Sequence, residues 1–485
     1  MSAALSPTRS IEALAPFRRS PEIRTGIAAK IAGTIPDWLR GEVVRTCPAV
    51  FETKGWRAHH WFDGLGMIYA FRIGDSGVHF RSRLLDSETA RDAWRGKSNH
   101  GSFGTPTALP LLQRIFAPVP HISDNTNVNI LRLGEELVAM TEGNRQLVID
   151  DETLAAVRPV AYAKSTLGGT IMTAHPHFDF ERGKVLNVAT GFGSSGVISI
   201  YEHAPAARQR DVVGSWRTKR VPYIHTFGLT PKHAILVAHP FAVTPMKMLW
   251  SSKGYIDHFE WHPEEGTRLV VIDRSSGEAR EHVTDPFFVF HTVNAFERGD
   301  ATVLDLLAYP DAGIVASLRT DRMTAELPNL RPSLMRIVMQ PGIERATVEK
   351  LSDVGFEFPS THYKRISGRP YRFAYGASDG YRADSSYASA IVKVDIETGA
   401  SKSFSDGTHI FGEPLFVSRP QGDGEDDGVL LSVGSSKDSQ TSVLAVIDAK
   451  TLALLASAEV PSSIPLGFHG SFARNGVAPS RRESS

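Results

Sequence analysis

Histidines are the densest store of chemistry in this chain, with 18 among 485 residues against a single cysteine. Four sit in strand-like, aromatic-rich settings: His175 in TAHPHFDF, His225 in VPYIHTFGLT, His291 in FVFHTVNAFE and His469 in PLGFHGSF. None of the short spacings that build local zinc sites links them. A closed fold that returns the chain repeatedly to one axis would gather them into an all-imidazole metal site, a donor set that suits Zn, Cu, Ni and Fe alike. A histidine beside aromatics is more often a core residue, and the residues alone do not select these four. His203, His233, His258, His262 and His282 lie among charged or turn residues and are expected in solvent. His177 is expected on the same strand face as His175. His59 and His60 precede an aromatic turn and read as structural.

Other chemistries are excluded or weakened. GFGSSG at 191–196 matches a dinucleotide fingerprint, but VISIYE follows where that motif needs a helix, so it reads as a β-turn. There is no H-E-x-x-H, G-x-S-x-G or P-loop. The lone Cys47 rules out an internal disulfide, thiolate zinc and iron–sulfur clusters, and fits a reducing compartment. Basic and acidic residues balance at 53 each, which argues against a nucleic-acid partner. The first twenty residues lack signal-peptide character, and nowhere do about 18 apolar residues run together to span a membrane. The expected location is cytoplasmic, with peripheral membrane contact. Two loops are unusually apolar, PTALPLLQRIFAP at 106–118 and PFAVTPMKMLW at 240–250. Either they are buried loops, or they lie on a membrane and draw in an apolar substrate.

The elements that must position these histidines read as all-β. Short alternating apolar runs recur between turn signals, and the acidic run at 422–428 reads as a solvated hairpin loop. A weak repeat runs through the chain: VIDDETL at 148–154, VIDRSSG at 271–277, VDIETG at 394–399 and VIDAKTL at 446–452. Each is a strand ending in Asp, whose side chain can cap the following turn. The copies stand about 120, 120 and 50 residues apart, roughly multiples of a propeller blade. A propeller has the axis that four distant histidines need. Segments at 333–340 and within 90–117 look helical, too few for a layer, and are expected as insertions capping one face.

Taken together, HWFDGLGMIYAF at 60–71, SDNTNVN at 123–129, EFPSTHYKRISGRPYRFAYG at 357–376, GEPLFVSRP at 412–420, EDDGVLLSV at 425–433 and the four histidine settings resemble the carotenoid cleavage oxygenase family over nearly the whole chain. The resemblance implies one domain over 1–485: a seven-bladed β-propeller of about 60–65 residues per blade, with a helical and loop cap that includes about 90–120. It implies Fe(II) held by His175, His225, His291 and His469, with Glu142, Glu357 and Glu413 accepting hydrogen bonds from three of those imidazoles. Glu142 and Glu413 lie in apolar strands, where a free carboxylate is costly. The activity it implies is dioxygen-dependent cleavage of one double bond of a carotenoid or apocarotenoid, giving two carbonyl products, retinal-type aldehydes among them. The stilbene-cleaving branch carries Lys just before the first of these glutamates. Here Thr141 stands there, a substrate-side position that weakens the reading as a stilbene or phenylpropene-cleaving enzyme. The rival from another class is a non-catalytic, metal-containing propeller that binds partners.

Overall fold

In the computed structural model the described residues are 11–116, 122–163, 167, 171–248, 251–323, 331–379, 389–438 and 440–474. Seven antiparallel sheets of four or more strands follow one another along the chain. The second pairs Asn129–Leu133, Glu136–Met140, Leu147–Ile149 and Ala156–Pro159. The third runs from Ile171–Met172 and His177–Asp179 to Asp211–Thr218, and the fourth from Phe227–Leu229 to Ala279–Thr284. The fifth spans Phe288–Arg298 to Thr347–Ser352, and the sixth Glu357–Ser360 to Ser401–Phe404. The first and last sheets are laced across the two ends of the chain. Gly470–Arg474 pairs with Gly41–Val50 in the first sheet, and Lys30–Gly33 pairs with Leu454–Val460 in the last.

Seven apolar cores lie between consecutive sheets, each drawing residues from both. Leu186 and Ile198 of the third sheet pack with Leu236 and Val270 of the fourth, and Phe71 of the first with Leu444 of the last. A strand buried on both faces needs such a core on each side, so the sheets stack as blades around a ring. One polar cavity of about 1380 Å³, open ends included, touches all seven at Asn129, His177, Thr226, Thr292, Ser360, Val417 and Gly470. This is the axis of a seven-bladed β-propeller. An eighth apolar cluster, with Phe17, Trp61, Phe259, Leu318 and Phe468, forms the cap over one face.

The four repeat turns are hairpins between the third and fourth strands of the second, fourth, sixth and seventh blades. Their spacing is therefore two blades, two blades and one. Asp150 accepts from the Thr153 N–H at 2.8 Å, Asp273 from Ser276 at 2.8 Å and Asp448 from Thr451 at 2.7 Å. The last position of each repeat takes left-handed φ: 56° at Leu154, 75° at Gly277, 73° at Gly399 and 62° at Leu452. Glycine bears that conformation freely. The two leucines are buried, and their burial offsets the strain.

Three expectations are corrected. The 333–340 segment is the strand Ser333–Met339, not a helix, because pairing on both sides with Ala301–Tyr309 and Thr347–Ser352 overrides local propensity. His203 and His282 are buried rather than solvated. Each satisfies Nδ1 on a backbone carbonyl, Ala204 and Ile343 respectively, at 2.8 Å. His175 lies in the loop just before the strand that His177 opens, and His177 bonds to Tyr363 and the Phe227 carbonyl instead of sharing its partners. The helix Leu111–Phe116 lies within 90–117 as expected and Glu88–Trp94 overlaps its start, GFGSSG joins two antiparallel strands, and His60 is buried against the Val315 carbonyl.

The cap is pinned to the propeller at Asp63, which accepts from the Gly104 N–H at 2.9 Å and the Thr105 hydroxyl at 2.7 Å. Burial outweighs those hydrogen bonds and pushes its carboxyl up to about 6 from 3.8. Between those values an unfolded chain releases the proton while the folded one keeps it, so this group lowers stability as pH rises through the window and is level above it. Asp63→Asn, which has no proton to lose, is expected to gain about 3 kcal/mol relative to wild type between pH 3.5 and 7. Urea unfolding at both pH values checks this. A constant difference between the two proteins rejects it.

Candidate metal centre

His175, His225 and His469 each stand at most two positions before a strand, His177–Asp179, Phe227–Leu229 and Gly470–Arg474 respectively, and His291 lies inside the strand Phe288–Arg298. All four therefore reach the same end of the axis. His291 is placed by register shifts on either side of Thr292, a bulge that re-aims a side chain out of the alternating pattern. The four ring nitrogens lie within 4.8 Å of one another. His175 Nε2 stands 3.1 Å from His225 Nε2, and His291 Nε2 stands 3.2 Å from His469 Nε2. Two nitrogens bound side by side to one ion about 2.1 Å away would stand about 3.0 Å apart.

The opposite edges of three rings are fixed by carboxylates. Glu142 Oε1 accepts from His225 Nδ1 at 2.5 Å, Glu357 Oε2 from His291 Nδ1 at 2.6 Å, and Glu413 Oε1 from His469 Nδ1 at 2.8 Å. A neutral imidazole that donates from Nδ1 has a bare lone pair at Nε2. His291 and His469 thus bring two bare lone pairs within 3.2 Å of each other, an arrangement that repels unless both are shared with a cation beside them. No carboxylate bonds His175 among the described residues. Burial pushes the His175, His225 and His469 imidazoles below the usual histidine range, the last to about 4, so they stay neutral and able to ligate at pH 7.

Two supporting groups carried no signal in the sequence. Tyr223 donates its hydroxyl to Glu142 at 2.7 Å, beside His225. Arg45, 1% exposed, bonds the Glu413 and Phe468 carbonyls at 3.1 and 2.7 Å and stands 3.3 Å from Glu413 Oε2. Burial raises the Glu413 carboxyl, but His469, Arg45 and the Gly470 N–H outweigh it and hold the group below the usual carboxylate range. Three carboxylates and one guanidinium leave a formal charge of −2 around the imidazoles, which a divalent cation neutralises.

On the cap side an apolar cavity opens onto His225, His291 and His469, lined by Trp61, Phe62, Phe290, Phe356, Phe358 and Phe468 among others. The sequence did not place these residues, yet four adjoin a site residue directly: Phe290 precedes His291, Phe356 and Phe358 flank Glu357, and Phe468 precedes His469. Phe358 adopts φ 54°, a left-handed conformation costly for a non-glycine residue. Its ring faces His291 and His469 with centroids at 5.7 and 5.4 Å. Thr141, just before Glu142, is half-buried and does not line this cavity.

The family model described as RPE65, retinal pigment epithelial membrane protein, matches residues 16–474. The chain belongs to this family. RPE65-family relatives include the mitochondrial carotenoid-cleaving dioxygenase of Macaca fascicularis, 28% identical over 96% of this chain and 95% of that protein. The beta,beta-carotene 15,15'-dioxygenase of Mus musculus is 29% identical over 92% and 89%. Among solved structures, a mutant of the Synechocystis apocarotenoid oxygenase matches with a TM-score of 0.84 at 25% identity, covering 97% of this chain and all of that one. A cobalt-substituted form of that oxygenase matches at 0.81 and 26%, over 95% of this chain and 98% of that one. This RPE65-family propeller thus has a four-histidine metal site, and its described residues include no helix long and apolar enough to cross a membrane.

Proposed function

We propose that this protein is an Fe(II)-dependent dioxygenase that cleaves one double bond of a carotenoid or apocarotenoid, and that 1–485 form a single propeller domain. In this reading His175, His225, His291 and His469 ligate the iron, and Glu142, Glu357 and Glu413 orient three of them. The observation that carries it is the convergence of four imidazole nitrogens, two of them with bare lone pairs and 3.2 Å apart, in a −2 pocket beside an aromatic cavity. Bound there, Fe(II) would supply the redox chemistry that activates dioxygen. The chain's own part is positional. Phe62, Phe290, Phe358 and Phe468 hold a flat conjugated chain beside the imidazoles and exclude water. Adding O2 across one alkene and breaking both C–C bonds gives two carbonyls, so no acid–base side chain is needed. The wall beside the imidazoles is aromatic, which supports a polyene over a phenolic stilbene.

Anaerobic purification with metal analysis tests this reading, followed by oxygen with β-carotene, apocarotenals and resveratrol and product masses. The expected result is about one iron per chain and apocarotenal products. Products from resveratrol alone overturn the substrate class, and neither iron nor products moves the protein to the non-catalytic propeller.

We also propose a cytoplasmic protein whose cap lies against a membrane. Leu111, Leu112 and Met246 are 51%, 69% and 62% exposed, and the Thr107 N–H of the first apolar segment bonds the carbonyl of Ser252, just beyond the second. Residues 117–118 and 249–250 of those segments lie outside the described residues. Liposomes are expected to raise turnover of an insoluble substrate several-fold, and Leu112→Glu to remove that gain while sparing a detergent-dispersed substrate. Indifference of the wild type to liposomes rejects the membrane face.

A further inference from the structure

The aromatic cavity is not apolar throughout. Ala377 lies opposite Glu357 in the sixth blade. The next two residues, Ser378 and Asp379, therefore continue along the wall away from the imidazoles, about 7 Å of extended chain. Ser378 donates to the Gly355 carbonyl at 3.1 Å, and Asp379 Oδ2 accepts from Arg331 Nε at 2.8 Å and Nη2 at 2.7 Å. Arg331, Ser378 and Asp379 line the same cavity as His225, His291 and His469.

We propose that Arg331 and Asp379 form a recognition subsite for a terminal hydroxyl. The substrate is then a polyene with an oxygenated end rather than a pure hydrocarbon. This deepens the polyene-cleaving reading and rests on it. A hydroxyl oxygen can accept from the guanidinium while its proton goes to the carboxylate, so both members of the pair gain a partner. A carbonyl engages only the donor. A hydrocarbon end covers the ion pair and strips its water without replacing it, which is how a polar subsite rejects an analogue lacking its group. The side chains of Arg331 and Asp379 keep 34% and 17% of their exposure, so solvent tempers the discrimination. Fixing one end of the rod also selects which double bond lies beside the imidazoles, so the same contact sets regiochemistry.

The test uses the iron-loaded protein and two polyene aldehydes of equal length, one bearing a ring hydroxyl at its far end. Wild type is expected to favour the hydroxylated compound about tenfold in kcat/KM, the equivalent of one net hydrogen bond. The double variant Arg331→Met/Asp379→Leu is expected to bring that ratio to about one, by slowing the hydroxylated compound and relieving the penalty on the other, with metal content unchanged. Equal kcat/KM values in wild type overturn the proposal even if the variant fails to fold, as does a variant loss that falls equally on both compounds. Anaerobic binding, read from the shift of the polyene absorption band, separates the two levels. If neither compound is cleaved but the hydroxylated one binds more tightly, the subsite stands and the cleavage reading fails. If neither binds, both fail.

Discussion

His291→Ala is expected to leave the purified protein without metal and to lower turnover by more than about 100-fold, beyond what loss of an outer carboxylate costs. The fold should survive, because the seven inter-blade cores do not pass through the imidazoles. The change also strands Glu357. Its Oε2 bonds His291, and its Oε1 is buried with no hydrogen-bond partner among the described residues. A carboxylate left in an apolar wall with only the long 3.4 Å bond from the Phe358 N–H is costly, so His291→Ala should also lower the melting temperature of the apoprotein. Adding Glu357→Gln should recover part of that loss without restoring metal. Metal analysis and melting of the two variants settle the point, and an unchanged iron content in His291→Ala rules out this ligand set.

Arg45→Met is expected to cost about 3–5 kcal/mol, because it leaves Glu413 as an uncompensated buried charge. The guanidinium also ties the Glu413 and Phe468 carbonyls together, which holds Glu413 in reach of His469. Iron affinity should fall as well, by roughly 10–100-fold. Arg45→Lys keeps the charge but cannot bridge two carbonyls and a carboxylate with one planar fork, so it should recover stability more than iron binding. Equal recovery of both would reduce Arg45 to a charge-balancing role.

Arg45 also marks the limit of what the sequence makes legible. It sits in VVRTCP, where alternation cannot tell an inward guanidinium from an edge one. The repeat turns were readable because their hydrogen bonds are local: Asp150, Asp273 and Asp448 each bond a residue two or three positions on. The four histidines and three glutamates were readable only through the family resemblance, since their partners lie 56 to 83 residues away. The pairings themselves, the bulge at His291 and the left-handed Phe358 come from tertiary packing and leave no local signature. The same holds for Ser333–Met339, whose neighbours on both sides impose a strand on residues that tolerate a helix.

The strand that follows His469 closes the ring against Gly41–Val50. During synthesis this strand is the last of the described elements to leave the ribosome, and Glu413 with the seventh blade comes only shortly before it. A nascent chain can therefore stack six blades while holding three of the four imidazoles and two of the three carboxylates. A redox-active ion has its full set of partners only once the ring has shut. Chains cut short before 469 would be nearly complete propellers lacking one imidazole of the metal site, so closing the ring and completing that site are one event.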